Sequence, residues 1–338
     1  MNTYLHASQI RRGGCAVVGL SSLLLAAMPA RSQFTDINSL RNTIGNRIEA
    51  ATILGGDFGM AGASYTGGQG GNLSLSKFGG MGDIGDPQQL GTLPIAWQPQ
   101  LQGEMGYLNA KRDFTDADSI AYNGTTYDLN GAQSKFKDYS IQFGGGPRLW
   151  FNDHFSIAPT LMGMYGYTEN TFDLNGANIP QNVVTAAQKA GLINYDVDTW
   201  TIRPAADFQY VFTWRRTIFT LNSDPVYYHT ESFSASNPNV NVNGNSETWE
   251  NKIDVDVPLG KDLWGHELRT GGYFSRMEMY GDIKDGLNLD HLYEIHGRIV
   301  LDYLNQLWKV QWIGIGYSYL WGEAWHGNSI GLDVAFQF

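Results

Sequence analysis

Two sets of residues in this chain could support hydrolysis. His154-Phe155-Ser156 places a base two residues before a hydroxyl nucleophile, and a neighbouring histidine is a common way to activate such a hydroxyl. Asp116 and Asp118 are paired carboxylates in one polar segment, and Asp290-His291 occurs in another. Carboxylates combined with an Asp-His unit can activate water. Either set can act only if the fold brings its members together. The secondary-structure elements that contain these residues therefore decide whether a hydrolytic site can form.

The last segment, Asn328–Phe338, alternates between two kinds of side chain. Successive side chains of a strand point to opposite faces. One face here is apolar and ends on Phe338, whereas the other carries Asp333 and Gln337. In an outer-membrane barrel the apolar face of such a strand meets lipid and the polar face meets the lumen. The segment therefore predicts a transmembrane strand.

The N-terminus predicts export. Two arginines precede the apolar stretch Cys15–Met28, and small residues at Ala30-Arg31-Ser32 fit a cleavage site. This is the layout of a secretory signal peptide, so residues 1–32 are expected to be removed. The only cysteine lies within that segment. The mature chain is therefore expected to hold no disulfide and no cysteine metal site.

The composition disfavours nucleic acid as a partner. The formal charge is −11, and removing residues 1–32 would take away three arginines and no acidic residue, which lowers it to −14. Nucleic acid binding depends on Lys and Arg that neutralise phosphates. Aromatic residues make up 13% of the chain, and no apolar run beyond the signal reaches about 18 residues. Many aromatic residues at moderate hydropathy are typical of lipid-facing strands.

Two-sided strands recur along most of the chain. In Trp200–Trp214 the even-numbered residues are mainly aromatic or apolar, and Leu292–Tyr303 has the same pattern on its odd-numbered residues. Thr52–Tyr65 and Asn72–Ile84 are weaker, glycine-rich candidates. The chain predicts an all-β membrane protein, a single closed antiparallel transmembrane barrel of about twelve strands, with ten as the alternative. Similar stretches occur at Lys137–Trp150, His154–Thr168, Thr217–Phe233, Thr248–Val257, His266–Tyr280 and Lys309–Trp325.

The connections alternate in length. Asn152-Asp153 and Arg215-Arg216 are tight, whereas Phe172–Asp198 and Ser234–Glu247 are long and polar. Short periplasmic turns and long external loops are expected of outer-membrane barrels. If Phe338 lies at the periplasmic side, the short turns fall there too. His154 and Ser156 then follow a periplasmic turn, which argues against a lipase-type site near the outer leaflet.

The first mature segment predicts a helix instead of a strand. Phe34–Ala50 carries Ile37, Leu40, Ile44 and Ile48 at three- and four-residue spacing, which is the pattern of an amphipathic helix. Such a helix could plug the lumen or lie on the periplasmic surface. The expected organisation is a signal peptide over residues 1–32, this helix within residues 33–50 and a barrel over residues 51–338.

The alternation of apolar and polar residues within each predicted strand indicates which side chains point into the lumen, and many of these are charged. Both signs occur on neighbouring strands, so cross-strand pairs can offset part of the cost of burial. A structural network in a narrow lumen and a selective pore are both open, and no catalytic residue, metal site or cofactor is predicted. The predicted lumen residues are Glu104, Arg148, Arg203, Asp207, Glu250, Lys252, Asp254, Asp256, Arg276, Glu278, Glu294, His296, Arg298, Asp302 and Asp333.

The terminal V-A-F-Q-F, about twelve strands and a preceding helix resemble the translocator barrel of autotransporters. The stretch between Gln33 and the first clear strand at Trp97 leaves no room for a passenger domain, so the chain resembles the solitary autotransporter-like barrels. The resemblance implies a barrel around an N-terminal helix, exported through the periplasm to the outer membrane of a Gram-negative bacterium. The implied partners are membrane lipid and the barrel-assembly machinery, which would read the strand ending at Phe338. A monomer is favoured.

The favoured function is non-enzymatic, with a structural or transport role. The alternative is an omptin-like outer-membrane protease. In that family, paired carboxylates and an Asp-His unit act at the extracellular rim. Asp116, Asp118, Asp290 and His291 would all lie on that side of the predicted barrel.

Overall fold

The structure is a computed structural model that describes residues 37–56, 63–67, 72–85, 87–115, 119–122, 125–302, 310–322 and 325–336. The predicted signal peptide, residues 1–32, lies outside these ranges, as do Asp116, Asp118 and Phe338.

Most of the described chain consists of long strands. The helices are α1 (Ile37–Gly56), α2 (Gln181–Lys189) and α3 (Asp282–Leu287). The strands are β1 (Ala63–Gly67), β2 (Asn72–Asp83), β3 (Gln88–Gln89), β4 (Ala96–Asp113), β5 (Ser119–Tyr122), β6 (Thr125–Asp128), β7 (Gln133–Trp150), β8 (Phe155–Asp173), β9 (Tyr195–Trp214), β10 (Thr217–Ala235), β11 (Asn243–Leu263), β12 (His266–Gly281), β13 (His291–Asp302), β14 (Val310–Gly322) and β15 (Trp325–Phe336).

The long strands form one antiparallel, barrel-like sheet. From β7 to β15 each strand pairs with its neighbours in the chain, and β4 pairs with both β2 and β7. The short strand β1 pairs with β2 on one side and β15 on the other. Hairpins with few connecting residues, as at Arg215-Arg216, meet at one end of the sheet, which we call the short-turn end. The opposite, long-loop end carries the β5–β6 hairpin and the connections that contain α2 and α3.

One face of the sheet is apolar and exposed. On β9, Ile202 is 44% exposed and Trp214 is 63% exposed. By contrast, Thr201 and Arg203, on either side of Ile202 in the chain, are buried. The alternation predicted for Trp200–Trp214 is therefore present. So many exposed apolar side chains on one surface would be unfavourable in water but match the lipid-facing side of a membrane barrel. This surface is the outer face, and the opposite surface is the inner face.

The glycine-rich region differs from the prediction. Residues 52–56, predicted to begin a strand at Thr52, instead form the last turn of α1, and the next strand that the structure describes is β1. Ala51 is fully buried and lies three residues after Ile48, so the apolar spacing of the helix continues past Ala50, and Ile53 is fully buried as well. An apolar pair such as Ile53-Leu54 fits either period, and here the helical period prevails.

Helix α1 is surrounded by the inner face. Ile48, Ala51 and Ile53 are all fully buried although they point in different directions around the helix. A helix that is buried on every side needs protein packed on every side. Among the described residues, no helix is both long enough and apolar enough to cross a membrane.

Candidate functional site: the interior of the sheet

The long-loop half of the interior is filled by an apolar cluster. Buried side chains from α1, α2 and α3 belong to one hydrophobic cluster together with inner-face residues such as Leu108 and Met279. We call the three helices and this cluster the plug. Each fully buried Ile or Leu contributes about 1.5–3 kcal/mol relative to an exposed one. The plug is therefore held in place chiefly by the hydrophobic effect.

Glycines allow the plug elements to approach one another closely. A Cβ on Gly286 of α3 would overlap the carbonyl oxygen of Asn46 in α1. Similarly, a Cβ on Gly45 would lie 2.9 Å from the carbonyl oxygen of Asn241, and one on Gly244 would overlap the Glu49 carboxyl group. Larger residues at these positions would push α1 away from the loops and from β11.

A buried carboxyl group ties α1 to β11 and α3. The Ser246 hydroxyl donates a hydrogen bond to Glu49 Oε1 over 2.8 Å and accepts one from the backbone N–H of Ile283 over 2.8 Å. Burial raises the pKa of Glu49 to about 8, and the nearby Asp282 carboxylate also raises it, while the Ser246 hydrogen bond opposes them. Glu49 lies in α1 and not in a membrane-spanning strand. Its protonation state can therefore affect how the plug is held in place.

A second buried carboxylate ties α1 to the opposite wall. Asp138 of β7 is fully buried. The hydroxyls of Thr52 in α1 and Thr168 in β8 donate to Asp138 Oδ2 over 3.3 and 2.7 Å. Gly166 leaves space for Thr52, since a Cβ there would lie 2.6 Å from the Thr52 methyl group. Helix α1 is thus anchored on both sides of the interior.

The short-turn half is lined by ion pairs instead. Arg298 holds Asp254 through two hydrogen bonds of 2.7 Å each, and Arg269 lies 2.7 Å from Asp256. Such two-point contacts between a guanidinium and a carboxylate are strong and fix both side chains. On the far wall, Arg148 lies 3.4 Å from both Asp83 and Asp207. Lys77 and Glu104 form a further pair at 3.1 Å.

A cavity of about 420 Å³ lies within this network. Five consecutive strands, β10 to β14, supply its walls. Among the described residues that line it, three side chains are cations and three are carboxylates, so the formal charges of these six cancel. The cavity is lined by Ile218, Thr220, Asn222, Lys252, Asp254, Asp256, Arg269, Arg298, Asp302 and Trp312.

The combination of a barrel-like sheet and a helix in its interior can be compared with known proteins. The protein-family model described as the solitary outer membrane autotransporter beta-barrel domain matches residues 89–333 of this chain. The chain belongs to this family. The resemblance stated from the sequence is therefore confirmed, and this autotransporter-type barrel resides in the bacterial outer membrane.

Some solved structures are similar to this chain at low sequence identity, and the first of those described next shows the same fold. The transport unit of the autotransporter AIDA-I from Escherichia coli is 11% identical, with a TM-score of 0.51 over 90% of this chain and 100% of that one. The translocator domain of autotransporter NalP from Neisseria meningitidis is 10% identical, with a TM-score of 0.48 over 82% of this chain and 85% of that one. No curated protein matches the sequence.

Most of the predicted lumen residues lie on the inner face of the autotransporter-type barrel. Arg203 lies over the Tyr228 ring at 6.0 Å, and Lys252 lies 4.0 Å from Glu250. Glu294 accepts a hydrogen bond of 2.7 Å from Tyr273, and His296 is 2.7 Å from the Ser318 hydroxyl. Asp333 lies in β15, and its side chain is outside the described part of the chain. The inner-face residues from the prediction are Glu104, Arg148, Arg203, Asp207, Glu250, Lys252, Asp254, Asp256, Glu294, His296, Arg298 and Asp302.

The prediction for Arg276 and Glu278 was wrong. The register pairs Arg276 with Tyr293, an outer-face residue, and its guanidinium lies 5.5 Å from that ring and 2.5 Å from Glu278. The inner positions of this part of β12 belong to Met277 and Met279, which face the plug. Because the plug is apolar, the rule that polar residues point inward reverses here. The same error concealed Arg269 and Tyr273, which do point inward.

The candidates for hydrolysis are not assembled among the described residues. Asp290 lies 3.1 Å from Lys284, and the His291 ring packs edge-on against Tyr293, while Asp116 and Asp118 lie outside the described ranges. His154 is exposed, whereas Ser156 is buried and accepts a hydrogen bond from Arg148. In the described part of the chain, no group of three or more His, Asp or Glu residues could hold a metal ion.

Proposed function

We propose that the eleven long strands and the short strand β1 close into a barrel of twelve and that α1 seals its lumen. The support for closure is that β15 pairs with β1, β1 with β2, and β2 with β4. In the described part of the chain, β1 contributes Ala63–Gly67 to this seam, beside the long-loop ends of its neighbours.

The function that we propose is that of an autotransporter-type translocator barrel in a sealed state, with a structural or transport role and no enzymatic activity of its own. The observation that carries this proposal is the burial of α1 between two anchors, Glu49 with Ser246 and Thr52 with Asp138. Ion conduction needs a continuous aqueous path. An apolar plug across one half of the lumen would interrupt that path.

Conductance of the folded chain in planar bilayers tests this proposal. We expect long closed periods for the unaltered protein, and steady ion currents once residues 37–56 are deleted or the plug is loosened by Gly286→Leu. The matched control is Gly297→Leu, because Gly297 is an outer-face glycine with open space around its Cβ position. Steady open-channel currents from the unaltered, folded protein would contradict the seal.

We further propose that the barrel-assembly machinery inserts the chain as a monomer. The support is membership of the autotransporter-type family. Depletion of that machinery should leave the chain sensitive to periplasmic protease and unable to form a heat-modifiable folded band. A normally folded, membrane-inserted chain after depletion would refute this part of the proposal.

A further inference from the structure

We propose that the cavity at the short-turn end binds a neutral saccharide. Binding at this cavity would be separate from the sealing by α1, because every described residue that lines the cavity lies on strands β10 to β14. Short turns lie on the periplasmic side of outer-membrane barrels, so the ligand would come from the periplasm. The cavity, its charge balance and its rigid walls each support this choice of ligand.

The size and walls of the cavity suit one or two sugar rings. Its volume of about 420 Å³ falls within the range of small-molecule sites, roughly 300–1,000 Å³. Trp312 and Ile218 supply the apolar part of the wall. A flat indole can pack against the C–H face of a pyranose ring, as aromatic rings pack against other apolar surfaces. The remaining lining is polar and would face the hydroxyl groups.

The charge balance favours a neutral ligand over an ion. Each guanidinium of the network lies against a carboxylate, as in Arg298 with Asp254 and Arg269 with Asp256. Among the described lining residues, an anion would meet carboxylates and a cation would meet guanidiniums, and neither charge sign is in excess to compensate. A sugar hydroxyl both donates and accepts hydrogen bonds, so it can bridge a guanidinium N–H and a carboxylate oxygen that are adjacent.

The walls of the cavity are fixed before any ligand arrives. Arg298 is held by two bonds to Asp254. Its guanidinium also lies beside Gly271, where a Cβ would be 3.3 Å from both Nε and Nη2. Glycine at this position keeps the arginine beside the wall and leaves the cavity unobstructed. Preorganised polar groups lose little entropy on binding, which favours affinity.

Calorimetric titration of the full chain in detergent tests the proposal. We expect saturable binding of cellobiose or N,N′-diacetylchitobiose with a dissociation constant on the order of 1 mM, and weaker binding of glucuronate and glucosamine. Trp312→Leu should weaken binding about tenfold, because the stacking surface is lost. The matched control, Trp321→Leu, removes an outer-face tryptophan that packs on Tyr293 and should bind like the unaltered chain.

A labelling experiment keeps the proposal testable if Trp312→Leu fails to fold. Thr220 lines the cavity, so a cysteine introduced by Thr220→Cys should react with a neutral maleimide. The unaltered chain, whose one cysteine is Cys15, gives the background reaction. Cellobiose should slow this reaction severalfold, and glucuronate should not. Absence of saturable binding for both neutral sugars, equal binding by Trp312→Leu, or tighter binding of the charged sugars would each overturn the proposal.

Discussion

The two halves of the interior solve the same packing problem differently. In the long-loop half the inner face packs against the three helices, and buried apolar residues such as Leu108 and Met279 line it beside the hydrogen-bonded Glu49 and Asp138. In the short-turn half it meets a cavity, and paired charges such as Arg298 with Asp254 line it. The backbone pattern is the same in both halves. The difference shows that the polarity of an inner position depends on what fills the interior at that depth.

The largest expected effect comes from placing a charge in the plug. Ile48 is fully buried among apolar side chains, so Ile48→Asp should lower the free energy of unfolding by roughly 3–5 kcal/mol, as an unpaired buried charge does. Urea titration of the refolded chain measures it. The control is Ile218→Asp, because Ile218 lines the charged cavity and should lose far less. Equal losses in both variants would erase the distinction between the halves.

The plug should also respond to pH. The pKa of Glu49 is raised from 4.5 to about 8 when the protein is folded. The folded state then holds a proton that the unfolded chain has lost, so the stabilisation falls as pH rises from about 4.5 through about 8. Hydrogen exchange of the α1 amides at pH 5, 7 and 9 should show progressive loss of protection. Glu49→Gln should flatten this trend, and an unchanged trend would exclude Glu49 as its origin.

Breaking one ion pair of the short-turn half should have an intermediate effect. Asp254→Ala leaves Arg298 without its two-point partner, although Asp256 remains 3.9 Å away. Because these side chains are partly buried, the loss should be roughly 1–3 kcal/mol in urea unfolding. The double variant Asp254→Leu with Arg298→Met removes both charges and should recover part of it. A double variant less stable than Asp254→Ala would contradict a mainly electrostatic role.

The smallest effect is expected on the outer face. Arg276 and Glu278 form a pair there, close to the long-loop end of β12, and the Arg276 side chain is 48% exposed. Arg276→Ala should therefore change the free energy of unfolding by at most about 1 kcal/mol. Arg269→Ala is the comparison, because Arg269 points inward and contacts Asp256. If the two losses were equal, the reassignment of β12 would lose its energetic support.

Sequence periodicity predicted the short-turn half better than the long-loop half. In β9 the alternation around Arg203 and Asp207 is visible because an apolar outer face opposes a polar inner face. At Met277 and Met279 both faces mix polar and apolar residues, so the phase of β12 could not be read locally. The extent of α1 beyond Ala50 was hidden for a related reason, since Ile53-Leu54 suits either period. The register of the neighbouring strands resolves both cases.

Cysteine accessibility tests the division of the interior most directly. Thr199 is fully buried beneath α1, whereas Thr220 lines the cavity. With each residue replaced by cysteine in the folded, membrane-inserted chain, a small hydrophilic maleimide should label Thr220→Cys rapidly. Thr199→Cys should stay protected until the plug is loosened by Ile48→Asp. Equal labelling of both positions in the otherwise unaltered chain would show that water fills both halves, and would contradict a plug confined to the long-loop half.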